Sequence, residues 1–216
     1  MEWVKDKGKS CSSKESSRLT KSTKLKSGFL RLSSFKKLKI EVTSELTGLT
    51  GVTIDGENGL KVKSVLGEFS IKPAKASDRY EVISGADLVL VATKAWQVQD
   101  VAEKIAPFIG KETMVLPMQN GVLAAKQMAG FIPEKNIVGG LCRIFSLIEG
   151  PGIIHHVGSE PTVVFGELDH ARTERAAWLK YTFDSIGVTN IWAENIEVEL
   201  WKKFLMISSS ALLAVT

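Results

Sequence analysis

The apolar run Leu-Val-Leu-Val-Ala at residues 88–92 constrains the fold of this chain more than any other feature. A run this short and rich in valine is typical of a strand that is buried on both faces. Apolar residues at helical spacing follow it, namely Val98, Val101, Ala102 and Ile105. A second apolar run at residues 113–116 then predicts another strand. The whole stretch therefore predicts a βαβ unit of a parallel sheet.

Polar residues follow both predicted strands. Lys94 closes the first strand, and Gln119, Asn120 and Gly121 form a turn after the second. Open parallel sheets bind ligands at the carboxyl ends of their strands, so Lys94 and Asn120 are candidate ligand contacts. Each has a simpler alternative: Lys94 can extend from a strand end into solvent, and Asn-Gly is a common turn pair because both residues tolerate a positive φ.

The rest of the chain alternates between strand and helix patterns. A hairpin is predicted at residues 60–71, strands at 136–148, 153–157, 162–165 and 188–192, and helices at 122–128, 172–186 and 194–216. The predicted fold class is α/β: a partial Rossmann-like sheet, doubly wound and mostly parallel, with flanking helices. We expect the strand at residues 88–92 to be central in it.

Charge divides the chain unevenly. Residues 1–40 hold 12 Lys or Arg against 3 Asp or Glu, whereas the remainder carries a net charge of −5. We expect residues 1–45 to be a basic, serine-rich and disordered leader. An organelle transit peptide is an alternative, and so is a basic tail that binds nucleic acid or an acidic membrane through its charge.

Composition argues against several classes of protein. No apolar run approaches the roughly 20 residues that span a bilayer, and the two cysteines, Cys11 and Cys142, suggest neither a disulfide framework nor a metal cluster. Cys142 lies in an apolar strand and is expected to be a small buried residue. The neighbours His155 and His156 should point to opposite faces of a strand, so we expect no metal site there.

Seven short motifs carry a family resemblance. In chain order they lie at residues 56–62, 91–97, 119–122, 139–142, 152–156, 165–168 and 200–204. Together, over roughly residues 56–216, they resemble ketopantoate reductase (2-dehydropantoate 2-reductase). The resemblance implies an incomplete Rossmann-like dinucleotide-binding domain at residues 46–192, and the start of a truncated helical substrate domain at residues 193–216.

The resemblance also implies an activity: NADPH-dependent reduction of 2-dehydropantoate to pantoate, with NADP as the cofactor and a small 2-keto acid as the substrate. It further implies a homodimer, with neither nucleic acid nor a membrane as a partner. A cytoplasmic location is expected, or a plastid or mitochondrion if the leader is a transit peptide.

Lys203 is the predicted catalytic residue. It lies where the last helix changes from mixed to apolar composition, one turn after Glu199. The resemblance makes it the general acid that protonates the substrate oxygen, and makes Lys94 and Asn120 cofactor contacts. The alternative for Lys203 is a solvated helix lysine paired with Glu199, which is what we expect of Lys202.

Two features depart from the family pattern. Ile207 and Ala211 stand where the resemblance implies substrate-binding asparagines, so this is either a branch that binds its substrate otherwise or one that prefers another 2-keto acid. The sequence also contains no Gly-x-Gly-x-x-Gly motif, whose backbone would hold the cofactor's pyrophosphate. The alternative function is therefore a truncated, catalytically impaired remnant that acts at most as a binding protein.

Overall fold

The computed structural model describes residues 60–71, 79–150 and 152–213. The predicted basic leader at residues 1–45 lies outside the described residues. The elements, in chain order, are β1 (Leu60–Ser64), β2 (Gly67–Ile71), β3 (Leu88–Val91), α1 (Val98–Ile105), β4 (Met114–Pro117), α2 (Ala124–Met128), β5 (Gly139–Gly150), β6 (Ile153–Gly166), α3 (Glu174–Ser185), β7 (Asn190–Trp192) and α4 (Ile196–Leu213). Short 3₁₀ turns lie at Tyr80–Ile83, Ala95–Gln97, Ala106–Phe108 and Glu134–Asn136.

Strands and helices alternate along most of the chain, which confirms the predicted α/β fold class. One sheet has the strand order β2-β1-β6-β5, with β7 also pairing with β6. The β1–β6, β6–β7 and β3–β4 pairs are parallel, whereas the β1–β2 hairpin and the long β5–β6 ladder are antiparallel. The sheet is therefore more mixed than the sequence predicted.

The βαβ unit forms as predicted, but its first strand is not central among the described strands. β3 pairs with β4 in register, Leu88 opposite Met114 and Val91 opposite Pro117, and pairs with no other described strand. An isolated parallel bridge between Val115 and Ile137 leads from β4 towards β5. Leu90 is 38% exposed, so β3 is not buried on both faces as predicted.

The helices α1 and α3 pack against the sheets with their apolar faces. The buried face of α1 consists of Val98, Val101, Ala102 and Ile105. α3 buries Ala176, Leu179 and Phe183 against a cluster of strand residues that includes Phe165. The Thr173 hydroxyl accepts a hydrogen bond from the Ala176 N–H and so caps the start of α3.

A close approach of backbones at Gly140 brings β5 against the end of β4. A Cβ atom at this position would lie 3.0 Å from the carbonyl oxygen of Pro117 and against the side chain of Leu116. Glycine is therefore required sterically, as the paired glycines in the sequence indicated.

β6 is one continuous strand rather than the two that were predicted. It runs through residues 158–161, where the ladder to β5 passes directly from the Arg143–Thr162 pair to the Phe145–Val157 pair. Gly158 and Pro161 lie within this irregularity. Within the described part of the chain, none of the helices has the length and hydropathy of a transmembrane span.

Candidate active site

The carboxyl ends of β3 and β4 place the two predicted cofactor contacts at one edge. Lys94 lies three residues beyond Val91 and Asn120 three residues beyond Pro117, and these two strand residues are paired. Both Lys94 and Asn120 are exposed. The two side chains therefore stand at the edge of the sheet where α/β proteins bind their ligands.

Asn120 is not required by the turn that contains it. Gly121 has a φ of +107°, and Asn120 is not among the residues with a positive φ. The glycine alone therefore supplies the left-handed conformation, and the turn gives no conformational reason for an asparagine at position 120.

Gln119 ties the two strand ends together. Its buried amide nitrogen donates to the Val91 carbonyl at 2.9 Å and to the Thr93 hydroxyl at 3.4 Å. Because a carbonyl can only accept, these bonds fix the direction of the amide. Its Oε1 is buried and has no hydrogen-bond partner among the described residues. The sequence did not indicate this cross-strand bond.

Lys203 projects from α4 onto β5. Its Nζ donates to the carbonyl oxygen of Cys142 at 2.5 Å, and its side chain is half-buried. Burial lowers the pKa of Lys203 below its ordinary value of 10.5, and the positive charge of Arg143 lowers it further, against an opposing effect of Cys142. A lysine with a lowered pKa releases its proton more readily, as a general acid near neutral pH must.

Glu199 does not hold Lys203, contrary to one prediction. Its carboxylate binds Arg143 Nη2 at 2.7 Å and Lys202 Nζ at 2.8 Å. These cations hold the pKa of Glu199 below its usual value, with the hydrogen bond from Lys202 as the largest cause. Lys202 is the solvated, paired lysine that the sequence indicated, and Arg143 is a charged neighbour of the site that it did not reveal.

A narrow cleft lies between α4 and the edge of the sheet. Its walls include Gln119, Gly121, Gly140 and Leu200. Leu200 and Lys203 are three residues apart on α4 and thus lie on the same side of the helix. The structure therefore brings Lys203 to the side of the molecule where the strands of Lys94 and Asn120 end.

The other candidate residues do not form a second centre. His155 is exposed and His156 is buried, as predicted for neighbours on a strand. Nowhere in the described ranges do three His, Cys, Asp or Glu side chains group as metal ligands would. Cys142 is half-buried rather than fully buried, and burial raises the pKa of its thiol.

The residues at this edge can contact only part of a dinucleotide. Lys94 and Asn120 are exposed there and can make polar contacts, whereas Gln119 Oε1 is buried. The sequence holds no glycine-rich turn of the kind that brings backbone N–H groups to a pyrophosphate.

Comparison with known proteins identifies the family of this chain. The family model "Ketopantoate reductase PanE/ApbA" matches residues 52–170, which is just over half of the chain. The "Uncharacterized oxidoreductase YkpB" of Bacillus subtilis is 33% identical over 160 residues, covering 72% of this chain and 50% of that protein. A 2-dehydropantoate 2-reductase of Nostoc sp. is 28% identical over 69% of this chain and 48% of its own length.

Solved structures of similar fold include a 2-dehydropantoate 2-reductase and a D-mandelate dehydrogenase. The 2-dehydropantoate 2-reductase of Porphyromonas gingivalis aligns with a TM-score of 0.69 at 25% identity, over 75% of this chain and 56% of that one. A D-mandelate dehydrogenase solved with NADH and anilino(oxo)acetate aligns with a TM-score of 0.58 at 25% identity, over 68% of this chain and 47% of that one. The chain spans about half the length of the curated relatives it matches.

Proposed function

Because this chain belongs to the ketopantoate reductase family, we propose that it carries the proton-donor side of an NADPH-dependent reductase acting on a small 2-keto acid. The observation that supports this most is Lys203, a half-buried lysine of lowered pKa beside the edge of the sheet. A lysine of this kind can supply the proton that reduction of a keto group requires.

NADPH, when bound, would supply the hydride for the keto carbon. The carbonyl π bond breaks in this reduction, and its oxygen must gain a proton. Lys203 would give up that proton and become a neutral amine, which can still donate a hydrogen bond to the Cys142 carbonyl. Lys94 and Asn120 would hold and orient the nicotinamide half of the cofactor.

2-Dehydropantoate is the first substrate to test, and an apolar 2-keto acid is the second. Ile207 and Ala211 follow Lys203 at intervals of four residues, so they continue its line along α4. Neither can hydrogen-bond a hydroxyl group of the substrate. This line of apolar side chains favours a keto acid with fewer hydroxyl groups than 2-dehydropantoate.

We further propose that the protein acts as a homodimer in the cytoplasm, without nucleic acid or membrane partners. A plastid or mitochondrial location would follow if the basic leader is a transit peptide. The alternative of a catalytically impaired remnant, which acts at most as a binding protein, is the second candidate, because this sequence contains no Gly-x-Gly-x-x-Gly motif.

The test compares Lys203→Met with Lys202→Met. The purified chain is incubated with a high concentration of NADPH and either 2-dehydropantoate or an aryl 2-keto acid, and the loss of NADPH absorbance is followed. We expect slow turnover that falls by about 10²–10⁴ in Lys203→Met, because a positioned general acid contributes that much. The Lys202 side chain is exposed and paired with Glu199, so Lys202→Met should keep the rate.

Equal rates for the two variants would remove Lys203 from the mechanism. If the unmodified chain turns over neither substrate, the impaired remnant is the better description.

A further inference from the structure

Two consecutive residues of β5 hold one turn of α4. The Arg143 guanidinium binds the Glu199 carboxylate at 2.7 Å, and the Cys142 carbonyl accepts from Lys203 at 2.5 Å. Glu199 and Lys203 are four residues apart, which places them on the same side of the helix. The helix is therefore attached to the strand at two points, one turn apart.

The strand is irregular at the same place. The ladder between β5 and β6 is regular up to the Arg143–Thr162 pair and resumes only at Phe145–Val157. Such irregularities bend a strand and redirect its side chains. Here the Arg143 side chain reaches Glu199 across 56 residues of sequence.

Apolar packing holds α4 only up to the turn before Lys203. Ile196 is buried, and Leu200 packs on the same core cluster. Beyond Lys203 the helix exposes its large apolar side chains, and Phe204, Leu205 and Met206 are 39%, 62% and 58% exposed. The polar contacts of Arg143 and Cys142, together with the packing of Leu200, therefore position the turn that bears Lys203.

We propose that Arg143 is a positioning residue: by holding Glu199, it keeps the Lys203 amine against the Cys142 carbonyl. This inference rests on the proposed function, since it concerns the lysine that we assign as proton donor. It adds a residue that acts on the reaction through Lys203 and without touching the substrate.

The charged and titratable groups around Lys203 are few. Cys142 and Arg143 face it from β5, and Glu199 and Lys202 lie near it on α4. Arg143 acts on Lys203 in two ways: it fixes the turn that bears the lysine, and its positive charge disfavours the ammonium form. Removing Arg143 should release the amine and raise the pKa of Lys203 towards its ordinary value.

The experiment measures Lys203 itself, so it does not depend on turnover. The folded chain is treated briefly with an amine-acetylating reagent over a range of pH, and modification of Lys203 is quantified by mass spectrometry. Only the neutral amine reacts, so the midpoint of the curve reports the pKa and its plateau reports accessibility.

In Arg143→Gln we expect the midpoint to rise, together with a higher plateau. Arg143→Lys keeps a cation for Glu199 and should restore most of the original profile. Lys202→Gln is the matched control, because it removes the other cation on Glu199 and leaves Arg143 in place. Its profile should equal that of the unmodified chain.

An Arg143→Gln profile that coincides with the unmodified one would overturn the proposal. If thermal melting shows that Arg143→Gln is unfolded, Glu199→Asp takes its place, because it shortens the carboxylate side chain by one methylene and so weakens its contact with Arg143. Arg143 keeps its charge in this variant, so the higher plateau, or its absence, then decides. A shifted profile in a chain that reduces no keto acid would refute the proposed function and leave the positioning role in place.

Discussion

Replacing Glu167 should destabilise this protein more than any exposed charge substitution. The Glu167 side chain is 2% exposed at the end of β6. Its carboxylate accepts from the Thr173 hydroxyl at 2.5 Å and from Arg175 Nε at 2.7 Å, and it also binds Arg175 Nη2. Arg175 in turn donates to the Lys135 carbonyl. The carboxylate therefore connects β6, the start of α3 and the turn before β5.

The magnitude follows from burial. Removing one partner of a buried ion pair costs about 3–5 kcal/mol, because the other charge is left without compensation. The Arg175 side chain is 34% exposed, so water can solvate part of its charge after the change. The amide of Glu167→Gln can also still accept a hydrogen bond from Thr173. We therefore expect a loss of about 2–3 kcal/mol in the free energy of unfolding.

Urea denaturation of the unmodified chain and of Glu167→Gln measures this loss, with an unchanged m-value as evidence that the same transition is compared. Asp100→Asn removes an exposed pair with Lys104 on α1 and should cost no more than about 0.5 kcal/mol. The double variant Glu167→Gln with Arg175→Met should cost less than the sum of the single changes. If Glu167→Gln is as mild as Asp100→Asn, the ion pair contributes little and our reasoning about its burial is wrong.

Three further predictions concern packing, pH and the cofactor. Gly140→Ala should lower the free energy of unfolding by about 1–3 kcal/mol in urea denaturation, because the new Cβ would lie 3.0 Å from the Pro117 oxygen. Gly150→Ala should leave it nearly unchanged, because a Cβ there meets nothing within 4 Å. The pKa of Glu199 is lowered, first by Lys202, so its ionised form stabilises the fold above the ordinary value of 4.5, and this stability is lost as the pH falls through the lower pKa of the folded state. Between pH 6 and pH 3 the melting temperature should therefore drop less in Glu199→Gln than in the unmodified chain. An equal drop would contradict this. NADPH should bind weakly and lose affinity with added salt in fluorescence titrations, because the sequence lacks the glycine turn for its pyrophosphate; saturable binding that persists at high salt would show another phosphate site.

The sequence predicted what depends on local pattern. The helical spacing from Val98 to Ile105 became α1 with the same four buried residues. The alternation around residues 60–71 became the β1–β2 hairpin. The carboxyl edge with Lys94 and Asn120 followed from the βαβ order alone. These features need only neighbouring residues or the general handedness of parallel sheets.

The sequence did not predict what depends on distant partners. A pair between Glu199 and Lys203 was one alternative because the two lie one helical turn apart, yet the Glu199 carboxylate binds Lys202 and also Arg143, which is 56 residues away. The amide of Gln119 similarly bonds a strand that ends 28 residues earlier. Exposure of Leu90 depends on which elements cover β3, which its own apolar run cannot show. In each case tertiary packing decides among options that local sequence leaves open.

The hydrogen bond between Lys203 and the Cys142 carbonyl affects how this region can vary among related proteins. Every amino acid offers the same main-chain oxygen, so position 142 can change its side chain without depriving the lysine of its acceptor. Arg143 and Glu199 have no such freedom, because their side chains make the contact and must change together. Relatives of this chain should therefore vary freely in small apolar residues at position 142 and keep, or jointly replace, the pair at 143 and 199.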